Sequence, residues 1–314
     1  MHIAVVIPAF KAQNTIADVI GKIPDAVKKI YVVDDASPDD TYHSVEALNN
    51  SRVTLLRHAD NKGVGGAMIT GYKQAFQDGA DIVVKIDSDG QMDPSLLNKF
   101  TNPIQSGLAD YTKGNRFYYP DDIQEMPFIR RAGNLGLSFI TKLSSGYWDL
   151  FDPTNGYTAL HKDAYELLQI DKISQRYFFE TDMLFRLNII GAVAVDIPMK
   201  AVYGNETSHL SSAKSLVEFS IKHLLLLTKR VAYKYYLRDF NVGSIELLFG
   251  TVLFSFGLIF GLIKWLDTWQ SGIPATAGTV MAAALPIILG FQLLLNFVVV
   301  DSTSRPNIPL QKRK

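Results

Sequence analysis

Short apolar, β-branched runs recur along the first two thirds of the chain, and each ends at proline or acidic residues. Ile3-Ala4-Val5-Val6-Ile7 stops at Pro8, Lys29-Ile30-Tyr31-Val32-Val33 at Asp34-Asp35, and Asp81 through Ile86 at Asp87. Val53-Thr54-Leu55-Leu56 adds a short strand, and Val193-Ala194-Val195-Asp196-Ile197 stops at Pro198. Helices fit between them at about 12–20 and 64–78. Near-continuous apolar strands alternating with helices predict an α/β fold with a mostly parallel sheet covered on both faces. Ligands of such sheets bind outside the carboxyl ends of the strands, which is where these acidic residues fall.

The pattern changes after residue 211. From Lys214 to Arg238 six Lys/Arg stand against one acidic residue, Glu218, interleaved with Leu216, Phe219, Leu224 to Leu227, Val231, Tyr235 and Tyr236. This reads as amphipathic helices on an anionic leaflet, or as a basic surface helix of a soluble domain. Two charge-free runs follow, 17 residues from Leu247 to Ile263 and 28 from Ile273 to Val300. A bilayer span needs roughly 20 apolar residues, so the pair reads as a membrane hairpin, with Pro286 as a kink site in the second span. Lys/Arg cluster before the first span and after the second, at Arg305, Lys312, Arg313 and Lys314, which puts both flanks and the N-terminal part on the cytoplasmic side. Gly257 and Gly261 form a GxxxG helix-contact pattern, and small residues in the spans permit a homo-oligomer. The organisation expected is a catalytic domain over 1–210, amphipathic juxtamembrane helices over 211–242, two transmembrane helices over 243–301 and a basic cytoplasmic tail over 302–314. The first run, Ile3–Ile7, is too short for a signal peptide.

Composition sharpens this picture. The 314 residues carry 31 Lys/Arg and 31 Asp/Glu, with 47% hydrophobic residues and a mean hydropathy of +0.08. That excludes a disordered chain. The absence of cysteine excludes a disulfide framework and a Cys-ligated metal site. The balanced charge gives no support to nucleic-acid binding. The balance hides a split: residues 1–210 hold 20 Lys/Arg and 26 Asp/Glu, and 211–314 hold 11 and 5. An acidic first part suits a divalent cation, and a basic second part suits a membrane surface.

Several segments carry candidate chemistry. Asp87-Ser88-Asp89-Gly90-Gln91 offers two carboxylates and an amide oxygen where a strand enters a loop. Such ligands suit Mg²⁺ or Mn²⁺ when substrate phosphates complete the shell, although Asp, Ser and Gly also favour plain turns. Asp34-Asp35 closes another strand, where a carboxylate can accept hydrogen bonds from a nucleoside or cap the segment after Ser37. Asn61-Lys62-Gly63-Val64-Gly65-Gly66-Ala67 is a glycine-rich lead into a helix, suited to phosphate or to close helix–sheet contact, and it lacks the P-loop spacing. Arg116, Arg130 and Arg131 offer phosphate-binding forks or ordinary surface charge. Glu180 and Asp182 place two carboxylates beside Phe178 and Phe179, as a base or as capping and ion-pairing groups. Of the six histidines, His209 near Glu206 is the one to watch. No GxSxG elbow is present.

Taken in order, these segments resemble inverting family-two glycosyltransferases with a GT-A fold, nearest in pattern to the polyprenyl-phosphate type: dolichyl-phosphate mannose synthases and bactoprenol glucosyltransferases. The resemblance covers about residues 3–210. Ile7-Pro8-Ala9-Phe10 matches the opening strand and nucleotide-side loop. Val33-Asp34-Asp35-Ala36-Ser37 matches VDDxS, and Asn61 to Ala67 matches the NxGxGxA turn. Asp87 to Gln91 matches DxDxQ, Gly114-Asn115-Arg116 the G-S-R segment, Asp152 to Tyr157 the DPTSGF segment near the sugar, and Phe179-Glu180 the FE pair. The resemblance implies nucleotide contacts at Pro8, Ala9, Asp34, Asp35, Lys62, Gly63 and Asp87. It implies a metal, Mg²⁺ or Mn²⁺, at Asp89 and Gln91 with Asp87 nearby. Arg116 and Arg130 or Arg131, with Asn134, Asp152 and Asn155, would face the acceptor phosphate and sugar. Asn155 and Asn134 stand where serine is usual, and Tyr203 to His209 lacks the arginine and lysine often found there. The QxxRW signature of processive synthases is absent, which points to single-sugar transfer. The implied reaction moves one hexose, UDP-glucose being the first expectation and GDP-mannose the alternative, onto a polyprenyl phosphate at the bacterial plasma membrane. Glu180 and Asp182 position first and act as bases second. Transfer to another lipid such as a diacylglycerol, and a non-catalytic partner in glycan assembly, are the competing readings.

Overall fold

The computed structural model describes residues 1–119, 128–200 and 213–313. β1 (Ile3–Ala9), α1 (Ile16–Lys22), β2 (Lys29–Asp34), α2 (Thr41–Glu46), β3 (Val53–Arg57), α3 (Val64–Gln77) and β4 (Ile82–Lys85) alternate strand and helix. They are followed by α4 (Leu97–Gln105), β5 (Tyr111–Asn115), α5 (Phe128–Ser145), β6 (Thr158–His161), α6 (Lys162–Leu167), α7 (Phe179–Ile189) and β7 (Ala194–Pro198). The sheet order is β3-β2-β1-β4-β6-β5-β7. β6 runs antiparallel to both neighbours, and every other pair is parallel. Successive residues of β1 supply opposite cores. Ala4 and Val6 join Tyr31, Met68 and Tyr72 on one face, while Val5 and Ile7 join Ile20, Phe100 and Tyr157 on the other. Two buried faces are why these strands read as unbroken apolar runs rather than alternating ones. The observed architecture is the expected α/β GT-A-like sheet with two apolar helices after it.

Three details depart from the sequence reading. β1 does not stop at Pro8 but runs to Ala9, with Pro8 in register with Val33 of β2. On its other side β1 pairs with β4 only as far as Val6, so the missing N–H of Pro8 breaks no ladder bond there. The first helix begins at Ile16 rather than near 12, after a turn in which Thr15 N and Ile16 N donate to Ala12 O (3.1 and 2.9 Å) and Ala12 N donates to Thr41 Oγ1 (2.8 Å). β5 and β6 were not legible because they bury polar residues: Thr112 Oγ1 donates to Phe100 O (2.9 Å), and Lys113 Nζ donates to Asn155 O. Tertiary hydrogen bonds replace the apolar signal.

The chain divides into two units, Met1–Thr228 together with the segment from Pro306 onward, and Lys229–Arg305. In the first, α8 (Ala213–Val231) seats Leu226 beside Phe178 and Phe185, while Val217, Ile221, Leu224 and Leu225 are exposed. His223 lies buried against Ser144 Oγ (2.8 Å), and burial lowers its pKa to about 4, so it stays neutral. The basic tail is not loose: Leu310 N donates to both carboxylate oxygens of buried Asp110 (2.9 and 3.0 Å), and Gln311 Nε2 donates to Ile104 O (3.0 Å). The second unit contains a π-helical turn, Ala232–Arg238, and two long helices, α9 (Val242–Ser271) and α10 (Ala277–Thr303). Both helices are long and apolar enough to cross a membrane, and only 11% and 6% of their most apolar windows are buried, unlike core helices of a soluble fold. A side chain at Gly257 would stand 2.8 Å from Ala283 O and from Ile287 N, so this glycine serves contact within the hairpin. Arg230 grips buried Asp301 through two hydrogen bonds (2.6 and 2.8 Å).

Candidate active site

A cleft of about 520 Å³ opens at the carboxyl ends of β1, β2 and β4. Its walls come from Pro8, Ala9 and Phe10, from Asp35, from the glycine-rich turn (Asn61, Gly63, Val64, Ala67) and from Asp87, Ser88 and Asp89, with Arg176 and Tyr177 across from them. Motifs far apart in sequence thus share one cavity because each follows a strand of the same sheet.

Asp35 is the hub of the nucleotide-side wall. Its carboxylate accepts from Lys62 N (2.9 Å) and Gly63 N (2.7 Å) and meets His58 Nδ1 at 2.7 Å, while His58 Nε2 reaches Thr70 Oγ1 (2.8 Å). The glycine-rich turn is therefore shaped by a carboxylate. Lys62 takes part through its backbone and its side chain does not line the cleft. Asp34 departs from expectation. It is fully buried, with Oδ1 accepting from Ser37 N (3.1 Å) and Oδ2 3.3 Å from Arg57 Nε, so it braces the turn instead of facing a nucleoside.

The acidic loop is held from both sides. Thr15 Oγ1 donates to Ser88 O (2.6 Å), and Gln91 N donates to Asp89 Oδ1 (2.9 Å). Asp87 pairs with Lys85 Nζ (2.8 Å), and the same ammonium reaches Glu180 Oε1 (3.3 Å) from α7. Burial alone would lower the Lys85 pKa, but the two carboxylates and their hydrogen bonds raise it, so this lysine is a fixed cation. A side chain at Gly156 would run into Lys85 Nζ and Asp87 Oδ2, so the 152–156 loop lies directly against this ion pair. Hard carboxylate oxygens at Asp87 and Asp89 on one wall fit Mg²⁺ or Mn²⁺. Among the described residues no group of three or more His, Cys, Asp or Glu could hold a metal, so these two carboxylates would be only part of a cation's shell. Gln91 does not line this cleft; it lines a neighbouring pocket of about 360 Å³ with Asp93, Lys99 and Tyr119.

Other expected residues stand away from the cleft wall. Asp152 is fully buried and binds Arg116 through two bonds, to Nε (2.7 Å) and Nη2 (3.0 Å), while Arg116 Nη2 also reaches Thr154 Oγ1 (2.9 Å). Burial opposes the charge of Asp152, but the Arg116 guanidinium holds its carboxyl below the usual range. Asn155 is buried, its Oδ1 accepting from Tyr157 N (2.9 Å) and its amide lying against Met199. Behind them, burial lowers Lys113 to about 8 despite Asp152 and Glu180, and raises Asp196 to about 6. Asp182 points away from the cleft: it accepts from Ser174 N (2.8 Å) and Oγ (3.0 Å) and pairs with Arg186 Nε (3.0 Å). It is therefore corrected from a site carboxylate to a brace of the preceding loop. Asn134 and exposed Arg131 lie on α5, as does the backbone of Arg130, whose side chain is outside the described residues. His209, Glu206 and the segment Tyr203 to His209 also lie outside them.

Sequence reasoning missed Lys85, His58, Arg176 and Tyr177. A lysine inside an apolar strand, two residues before Asp87, was a readable signal for Lys85. Nothing local marked the other three.

The glycosyl transferase family 2 model matches residues 4–168. The chain is 34% identical over 247 residues to the UDP-N-acetylglucosamine–dolichyl-phosphate N-acetylglucosaminyltransferase of Methanococcus voltae, covering 72% of this chain and 96% of that one. It is 30% identical over 207 residues to the undecaprenyl-phosphate mannosyltransferase of Micrococcus luteus, covering 64% and 84%. Among solved structures, glucosyl-3-phosphoglycerate synthase from Mycobacterium tuberculosis, in complex with Mn²⁺, UDP and glucosyl-3-phosphoglycerate, shares the fold with a TM-score of 0.52 at 21% identity, over 73% of this chain and 79% of that one.

Proposed function

The chain belongs to glycosyl transferase family 2 and is a glycosyltransferase, and from that premise we propose that it moves a single sugar from a nucleotide donor to a polyprenyl phosphate at a membrane. The observation that carries this reading is the single cleft in which Pro8-Ala9, Asp35, the glycine-rich turn and the Asp87/Asp89 pair meet. The named substrates of the Methanococcus and Micrococcus relatives, both polyprenyl phosphates, support the acceptor. The two apolar helices support a multi-pass membrane protein, with the hairpin over 243–301 in the bilayer and the catalytic unit on the cytoplasmic face. A UDP-sugar stands first as donor. UDP-N-acetylglucosamine goes ahead of UDP-glucose because the 34% identical relative is named for it. GDP-mannose is the second reading, favoured by the Micrococcus protein and by the 27% identical dolichol-phosphate mannosyltransferase of Pyrococcus furiosus.

In this reading the acceptor phosphate oxygen attacks the anomeric carbon, the nucleoside diphosphate leaves, and the centre inverts. A phosphate monoester has its second pKa near ~6 and is already ionised at neutral pH, so no strong base is needed. Glu180, paired with Lys85 Nζ (3.3 Å), helps orient that ammonium beside Asp87 instead of removing a proton. Asp87 and Asp89 would hold a divalent cation, which when bound would neutralise charge on the leaving diphosphate. Arg130 or Arg131 on α5 receives the acceptor phosphate. Arg116 acts through Asp152, fixing the loop that carries Asn155 and Gly156.

The test is a membrane-fraction assay with undecaprenyl phosphate, Mg²⁺ or Mn²⁺, and radiolabelled UDP-N-acetylglucosamine, UDP-glucose and GDP-mannose. The reading expects one label to enter the organic phase and to be lost with EDTA. Nucleotide release with no lipid-phase label would keep the family and overturn the acceptor.

A further inference from the structure

The cleft presents three carboxylates, Asp35, Asp87 and Asp89, and among its described lining residues a single cation, Arg176. A nucleoside diphosphate is an anion, so a wall of carboxylates repels it unless positive charge answers. Most of the local charge is already matched. Asp35 is spent on two backbone amides and His58, and Asp87 pairs with Lys85. Arg176 is exposed and, among the described residues, takes part in no ion pair or hydrogen bond through its side chain.

Its position is nonetheless built. On one side the loop before α7 is pressed onto the glycine-rich turn, with Gly66 N donating to Gln175 O (2.9 Å). A side chain at Gly65 would collide with Ser174 O and stand 2.8 Å from the Phe179 ring. On the other side, Asp182 holds Ser174 by two hydrogen bonds, and Arg186, paired to Asp182, also donates to Lys172 O (2.5 Å). The backbone of Arg176 is thus fixed from two directions, and its guanidinium alone is left uncommitted at the cleft. A planar fork with five donors matches phosphate oxygens.

Resting on the nucleotide-sugar reading above, we propose that Arg176 binds the diphosphate of the donor, and that Asp182 is the positioning residue holding the 174–177 loop that presents it.

The experiment is calorimetric binding to the full-length protein in detergent, with Mn²⁺ present and no acceptor, so that no turnover contributes. The probes are UDP and GDP and the corresponding nucleosides. In Arg176→Ala, affinity for the preferred diphosphate should fall about 10- to 100-fold, while affinity for its nucleoside stays within about twofold. Arg176→Lys should recover part of the loss. Asp182→Asn should weaken the diphosphate about threefold and spare the nucleoside. Equal diphosphate binding by wild type and Arg176→Ala would overturn the proposal and leave the transferase reading intact. Parallel loss of nucleoside and diphosphate binding would show a merely structural role and would also overturn it. A wild-type protein that binds neither diphosphate would remove the donor reading together with the proposal.

Discussion

Two sets of carboxylates share the catalytic unit and behave in opposite ways. Asp87 and Asp89 line the cleft, and the Asp87 side chain keeps 29% of its surface open. Asp34, Asp152 and Asp182 are buried against internal partners: Ser37 N, with the Arg57 guanidinium 3.3 Å from an Asp34 oxygen that accepts no hydrogen bond, Arg116, and Ser174 with Arg186. All five follow acidic or polar motifs that read alike in sequence. What separates them is whether the fold leaves the carboxylate on the wall of the cleft or encloses it. A carboxylate enclosed by the fold holds a loop, and one on the wall of a cleft can meet substrate or metal.

That contrast can be broken or sharpened by substitution. The largest effect is expected at the open set. Asp89→Ala should cut sugar transfer by at least about a thousandfold, as removal of several kcal/mol of charge stabilisation requires, with an unchanged thermal unfolding midpoint. Near-normal transfer by this variant would erase the distinction. At the closed set the order reverses. Asp152→Ala strands Arg116, and because that arginine is partly exposed the cost should fall below the buried-pair range, at about 2 kcal/mol, read as a lowered unfolding midpoint. Restored stability in a second variant that also replaces Arg116 by Met would attribute the loss to the stranded charge.

Gly156→Ala tests the seam between the sets, since the added methyl displaces the Lys85–Asp87 pair. We expect about a tenfold loss of donor kcat/KM, with the acceptor KM unmoved. The smallest effect concerns Lys113, which burial lowers to about 8 from 10.5. The unfolded chain holds its proton up to the higher value, so between these limits the unfolded state binds more protons and stability rises with pH. Chemical denaturation at pH 7 and 9 should show wild type gaining about 1 kcal/mol from this group, a gain absent in Lys113→Met. Parallel pH profiles for the two proteins would show that Lys113 does not titrate there.

How much of this was legible follows from the range of each interaction. The apolar runs of β1, β2 and β4 and the charge-free stretches of α9 and α10 are local patterns, readable because burial on both sheet faces or against lipid demands the same residue types throughout a segment. The Asp35 turn and the acidic loop were readable as ordered motifs. β5 was not, because buried Thr112 and Lys113 look polar until Phe100 O and Asn155 O are brought to them, and β6 likewise buries Thr158 and His161.

By itself, then, the sequence determined the α/β sheet with its acidic strand ends and the two apolar helices that follow. It also determined the family to which they belong. Only the tertiary structure decided which acidic residues line the cleft, that Lys85 beside Asp87 reaches Glu180 across 95 residues of chain, and that Arg176 lines the cleft. The reason is physical. Secondary structure answers to the period of neighbouring side chains, whereas the worth of a charge depends on what the folded chain places within a few ångströms of it.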